Sequence, residues 1–99
     1  MNEKKIENII NENILRELSD ERSFERGKGY FLDKKVKELV VHNGEMTAWV
    51  RGDSDYQLKF RVKDGKLNYH CSCPVGVGGS FCKHCVAAGL TWIERNKNK

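Results

Sequence analysis

Two short pairs of residues in the last third of the chain combine soft donor chemistry with regular spacing: Cys71-Ser72-Cys73, then eight residues, then Cys82-Lys83-His84. Thiolate sulfur and imidazole nitrogen are the donors of a structural zinc ion, which takes four of them in a tetrahedron at about 2.0–2.3 Å. Two donor pairs brought together by one loop are the simplest way to build such a shell. The first pair ends a stretch that alternates like a strand, so Cys71 and Cys73 face one side, and Pro74 stops the ladder. The second pair opens a helix, whose positive end lowers thiol pKa, and Lys83 adds a nearby charge. Spacing alone leaves two shells open, because Cys82 and Cys85 also form a C-x-x-C pair. The fourth ligand beside Cys71, Cys73 and Cys82 is therefore His84 or Cys85. Cys85 also falls on an apolar helical stripe with Gly89 and Trp92, where a free cysteine packs as a small hydrophobe. His70 is expected on the opposite face of its strand and His42 beside a turn, both without a role.

The elements that must position these donors are legible as changes of period. Ile6, Ile9, Ile10, Ile14 and Leu18 recur at three-and-four spacing and predict a helix over 3–18. Ser19 and Asp20 then start a shorter helix over 20–32, with Phe24, Tyr30 and Phe31 read as core and Gly27 and Gly29 as weak points. Beyond Asp33 the period becomes two. Strands are expected over 36–42, 45–51, 56–63 and 67–71, joined by Asn43-Gly44, Gly52-Asp53-Ser54 and Asp64-Gly65. After Cys73 the run PVGVGGSF reads as a glycine-rich loop. A last helix over 81–95 follows, with Gly89 placed for a close approach and NKNK as a solvated tail. The fold class is thus α+β: two N-terminal helices, a four-stranded antiparallel meander with one apolar face, and a C-x-C…C-x-H metal motif leading into a C-terminal helix. One domain over 1–99 is expected, with its metal motif at 71–84.

Composition bounds the function. A chain of 99 residues, 38% apolar and 32% charged, buries only about 60–65% of its unfolded surface, so a metal staple fits its thin hydrophobic margin. No run approaches the roughly 18 apolar residues of a membrane span, and MNEKKIENII has no signal-peptide core, so a cytoplasmic location is expected. Clustered cysteines in a reducing compartment are metal ligands or reactive thiols more often than disulfides. Four protein ligands leave a metal no open position, and the chain has no phosphate loop or nucleophile elbow. We therefore expect a structural zinc and no enzymatic activity.

The stretch CSC, eight residues, CKH resembles the SWIM-type zinc finger, whose pattern is C-x-C, a variable loop, then C-x-H. SFERGKGYF, VRGDSDYQLKF and CSCPVGVGGSFCKHCVAAGLTW together resemble the amino-terminal module of bacterial SWIM-domain proteins, from about Ser23 to Trp92. The resemblance implies one zinc held by Cys71, Cys73, Cys82 and His84, with Cys85 at a position the family motif does not use. It further implies an interaction module for nucleic acid or for another protein or domain.

The charge balance of +4 suits an acidic partner. Lys59, Arg61 and Lys63 form a basic ladder on the polar side of the third strand, with Arg51 near a turn and Lys83 beside the metal motif. These five are the candidates for contacting DNA or RNA phosphates. The alternative is a protein-docking module of a larger chain, marked by an exposed apolar patch.

Overall fold

The computed structural model describes residues 6–97, apart from the side chains of Glu7 and Asn8, so residues 3–5 of the first expected helix and the last two residues lie outside it. The chain runs α1 (Ile6–Ile9), α2 (Glu12–Leu18), α3 (Glu21–Leu32), β1 (Val36–His42), β2 (Glu45–Arg51), β3 (Asp55–Lys63), β4 (Lys66–Cys71), α4 (Pro74–Val77) and α5 (Lys83–Asn96). The expected α+β order is there, with differences of detail that have local causes.

The first expected helix is broken in two. Asn11 is extended (φ −147°, ψ 172°) and its side chain accepts the Ile14 N–H at 2.9 Å, capping α2. An asparagine that satisfies a free amide at a new helix start competes with continuing the old one. The break also turns α2, so that Leu15 is buried while Ile14 and Leu18 are only half-buried. Asp20 caps α3 by accepting the Ser23 N–H at 2.7 Å, as expected of a helix-starting residue.

The sheet is the expected meander, in order β1-β2-β3-β4 with every pair antiparallel. Asn43-Gly44 and Asp64-Gly65 each place two residues at positive φ (54° and 77°, 54° and 76°), the mirror-image turn whose twist suits a two-residue hairpin. Between Lys37 and Val40 the register of β1 slips in a bulge, where Glu38 also takes positive φ, 53°. Leu39, Met46, Ala48, Val50, Leu58, Phe60 and Cys71 point to one face and are buried there in one cluster with residues of the helices.

Helix α5 lies over this face, and α3 packs along α5. Gly27 makes that crossing: a Cβ there would lie 2.5 Å from Val86 Cβ and 2.6 Å from the Lys83 carbonyl oxygen. Gly89 does the same for α2, where a Cβ would meet Leu15 Cδ2 at 2.5 Å, the close approach its position suggested. By contrast a Cβ on Gly29 would meet nothing within 4 Å. Helix α3 starts one residue later than expected and β3 and β4 one residue earlier, and two larger differences lie further on. The start of the glycine-rich loop is helical as α4, with Pro74 in its first turn, and α5 begins at Lys83 and takes in Asn96. Among the described residues, no helix is long and apolar enough to cross a membrane.

Candidate metal centre

Each donor pair is delivered by a different layer. Cys71 ends β4 opposite Leu58, and the ladder continues one residue further through Ser72, whose N–H donates to the Gln57 carbonyl at 2.9 Å and whose Oγ accepts the Gln57 N–H at 3.0 Å. Alternation therefore persists past the strand end: Cys71 and Cys73 are buried and Ser72 is exposed. Cys73 then caps α4, its Sγ accepting the Gly76 N–H at 3.2 Å. Gly76 is required there, because a Cβ would lie 2.5 Å from Cys71 Cβ.

The second pair hangs on Phe81, which stacks on Phe60 (ring centroids 5.7 Å apart) and meets Tyr69 edge-on at 4.8 Å. Cys82 is the N-cap of α5 but makes no side-chain cap hydrogen bond, which leaves its sulfur to the site. His84 follows in the first turn, buried, with Tyr56 at 4.8 Å and Tyr30 edge-on at 5.3 Å. Tyr30, read from sequence as core, and Tyr56 are half-buried walls of the histidine. Their role was not visible in the chain because it depends on a contact between α3, β3 and α5.

One donor atom from each of Cys71, Cys73, Cys82 and His84 lies within 4.8 Å of the others, and all four residues are buried. His84 Nδ1 is 3.8 Å from Cys71 Sγ and 3.7 Å from Cys82 Sγ. The sulfur-to-nitrogen edge of a tetrahedron with bonds of about 2.0–2.3 Å is about 3.6 Å long, so these separations suit a single ion between them. The four residues are positioned to bind a metal ion, in the set that the resemblance implied among the two that spacing left open. Cys85 stands outside that set, fully buried, with its Sγ 3.9 Å from Cys82 Sγ.

The neighbouring sulfurs shift one another, with Cys82 lowered and both Cys71 and Cys85 raised. Cys82 is held far below the ordinary thiol value of 9.0, chiefly by hydrogen bonding with Cys71, then with Cys85, and with His84 adding to it. Cys71 is pushed up to about 12, first by Cys82. Cys85 is driven up by Cys71 and Cys82 and then by burial, so it keeps its proton. The site thus concentrates negative charge on Cys82, at the positive end of α5. A bound cation reverses the order for Cys71, since a coordinating thiol is deprotonated outright. His84 Nε2 is buried with no hydrogen-bond partner among the described residues. It faces Gly52, where a Cβ would lie 3.4 Å from Nε2 and 3.5 Å from the Tyr30 hydroxyl. The imidazole is therefore turned with Nδ1 toward the sulfurs and Nε2 toward the end of β2.

The candidate basic residues divide into groups. Lys59 and Arg61 project from β3 on the face away from the helices, beside Glu45 of β2, at 3.9 Å and 3.4 Å from its carboxylate. Lys63 is exposed at the end of β3, paired in register with Lys66, and Arg51 is exposed at the end of β2. Lys83 does not join them. It lies on the helical side of the sheet with Nζ 6.0 Å from the centre of the Tyr30 ring. His70 is exposed opposite Lys59, and His42 is exposed at the end of β1. No protein-family model, curated protein or solved structure matches this chain.

Proposed function

We propose that this chain is a zinc-binding interaction module of the SWIM type that contacts nucleic acid through the uncovered face of its sheet. Three thiolates and an imidazole are a zinc donor set, harder to reconcile with magnesium, calcium or manganese, which prefer oxygen. With all four positions filled by protein, the ion holds β4 to α5 and has no place for a substrate water, so the module is a binder and no enzyme.

The observation that carries the nucleic-acid reading is the makeup of the outer face. Trp49, 39% exposed on β2, pairs in register with Lys37 of β1, and on the same face Lys59 lies one position along β3, opposite Thr47, with Arg61 one further, opposite Glu45. Cations beside an accessible aromatic are what a phosphate backbone and an unstacked base require. Glu45 offsets part of this charge, but an exposed pair of this kind is weak and screened by salt. Fluorescence anisotropy with single- and double-stranded oligonucleotides over a salt series is the test. Binding should weaken steeply with salt, Lys59→Gln and Arg61→Gln should each flatten the slope by about one, and Trp49→Ala should weaken single-strand binding most. Absence of salt-sensitive binding refutes the reading.

A second reading has its own observation. Val75 and Val77 on α4 are 52% and 65% exposed beside the metal centre, and apolar side chains held out by a rigid knuckle suit docking to another protein or domain. In that case Val77→Ser, with the ladder intact, abolishes the interaction.

A further inference from the structure

At the edge of the fold where α3 ends and β2 ends, an open hollow of about 340 Å³ is lined by Arg26, Tyr30 and Lys35 from one side and Arg51 and Gly52 from the other. The volume sits at the lower end of the roughly 300–1,000 Å³ of small-molecule sites. We propose that this hollow binds a terminal phosphate group.

Four features of the hollow support the assignment. Arg26 and Tyr30 are four residues apart in α3 and so share a helix face. The hydrogen bond from the Arg51 N–H to the Lys35 carbonyl, 3.0 Å, ties the other two cations together through the backbone. Among the described residues, Arg26, Lys35 and Arg51 have no carboxylate within ion-pair distance. Asp33 is the one acid lining the hollow, and Asp55 faces Arg51 in register from the adjoining outer side. Three cations against one carboxylate match a phosphate monoester, which carries −1.5 to −2 at neutral pH by the usual second pKa of about 6. Guanidinium groups recognise phosphate oxygens bidentately, and the Tyr30 hydroxyl adds a donor.

The walls are also preset. Tyr30 is pinned edge-on against His84, and Gly52 lies against His84 Nε2, so the metal ligand backs the hollow from inside. Gly29 opens it from outside. This helical glycine lines the hollow, yet a Cβ there would meet nothing within 4 Å. Packing does not require glycine at a position where it disfavours the helix, whereas a longer side chain would project into the space a phosphate needs.

The test is an amide chemical-shift titration of the zinc-loaded full chain with inorganic phosphate at constant ionic strength. Saturable shifts are expected at Gly29, Lys35 and Gly52. Arg26→Gln and Lys35→Gln should each weaken binding about tenfold, the loss of one charge-assisted contact, and Gly29→Leu should abolish it while leaving the melting temperature equal or higher. Shifts that grow linearly without saturation, or an affinity unchanged in both Arg26→Gln and Gly29→Leu, overturn the proposal. The source of the phosphate is read with oligonucleotides bearing or lacking a 5′-phosphate. A preference for the phosphorylated strand that Arg26→Gln removes assigns the group to a strand end, and equal binding of both strands with saturable inorganic phosphate assigns it to a small phosphorylated molecule. Lys59 and Arg61 are outside the hollow. Failure of the outer-face reading therefore leaves the inorganic phosphate titration unchanged.

Discussion

Replacing His84 and Cys85 one at a time separates the two shells that spacing allows. A structural zinc contributes about 10–16 kcal/mol of apparent binding free energy in small domains, or about 2.5–4 kcal/mol for each of four ligands. His84→Ala should therefore weaken zinc binding about 10²- to 10³-fold. It also empties the space between Tyr30 and Tyr56, whose rings stand 5.3 and 4.8 Å from the imidazole, so the metal-loaded fold should lose further stability as a cavity opens. Cys85→Ala removes a buried, protonated thiol 3.9 Å from Cys82 Sγ. Its cost is that of a small buried hydrophobe, about 1 kcal/mol of stability, with zinc affinity changed by less than about tenfold. Competition against a chromogenic chelator at neutral pH, with the metal-to-protein ratio measured on each purified variant, reads both numbers. If Cys85→Ala loses zinc and His84→Ala keeps it, the shell is four thiolates and the assignment of His84 is wrong.

The two glycines of α3 should respond with opposite signs in thermal melts. Gly27→Ala drives a Cβ into Val86 and the Lys83 carbonyl and should destabilise by about 1–3 kcal/mol, whereas Gly29→Ala meets nothing and should stabilise by about 0.5–1 kcal/mol. Phe81→Ala removes the ring between Phe60 and Tyr69, which should cost about 3–5 kcal/mol and slow zinc rebinding after chelation, followed by stopped-flow absorbance. Asp20 is held below its ordinary value of 3.8, chiefly by the Ser23 N–H. Its cap is complete above that value and is lost as pH falls through the lowered one, so Asp20→Asn should flatten the acid limb of stability against pH, and an unchanged limb would argue against the cap. A strong chelator should strip hydrogen-exchange protection from residues 71–84 and the start of α5 first, while the β1–β2 hairpin amides hold out longest. Simultaneous loss throughout would show that the ion supports the whole fold.

The sheet was legible because each of its determinants is local. Alternation sets which side chains of β2, β3 and β4 face inward, and Asn43-Gly44 and Asp64-Gly65 set where the chain reverses, so register follows with no knowledge of the rest. Three donors, Cys71, Cys73 and Cys82, were legible for the same reason, from a strand end and a helix start, while spacing left the fourth open between His84 and Cys85. The helical layer was less so. A periodic stripe says which residues are apolar, yet Asn11 competes for the helix start and decides whether Leu15 or its neighbours are buried. Nothing in the chain marks Tyr30, Gly52 and Tyr56 as neighbours of His84, because they meet it only once α3, β2 and β3 are packed on α5. Lys83 illustrates the converse: proximity in sequence to the metal motif placed it among the basic candidates, and the sheet then separates it from Lys59 and Arg61.

The end of β2 is where the metal centre and both candidate surfaces meet. On the outer side, Arg51 follows Trp49 and Val50 along the strand and shares an exposed hollow with Lys37, Glu38, Trp49 and Asp55. On the edge, Arg51 and Gly52 line the phosphate hollow with Arg26 and Lys35. Behind them Gly52 lies against His84 Nε2, and Tyr30 against the ring. An imidazole fixed through Nδ1 by a metal cannot rotate, and the glycine and tyrosine packed on it are confined with it. Without a cation, the sulfurs of Cys71, Cys73 and Cys82 keep only their weak hydrogen bonds to His84, Gly76 and Cys85, and this corner of the fold should relax toward water. If the proposed surfaces bind, occupancy of the metal centre should therefore change their affinity, because it holds the corner that presents Arg51.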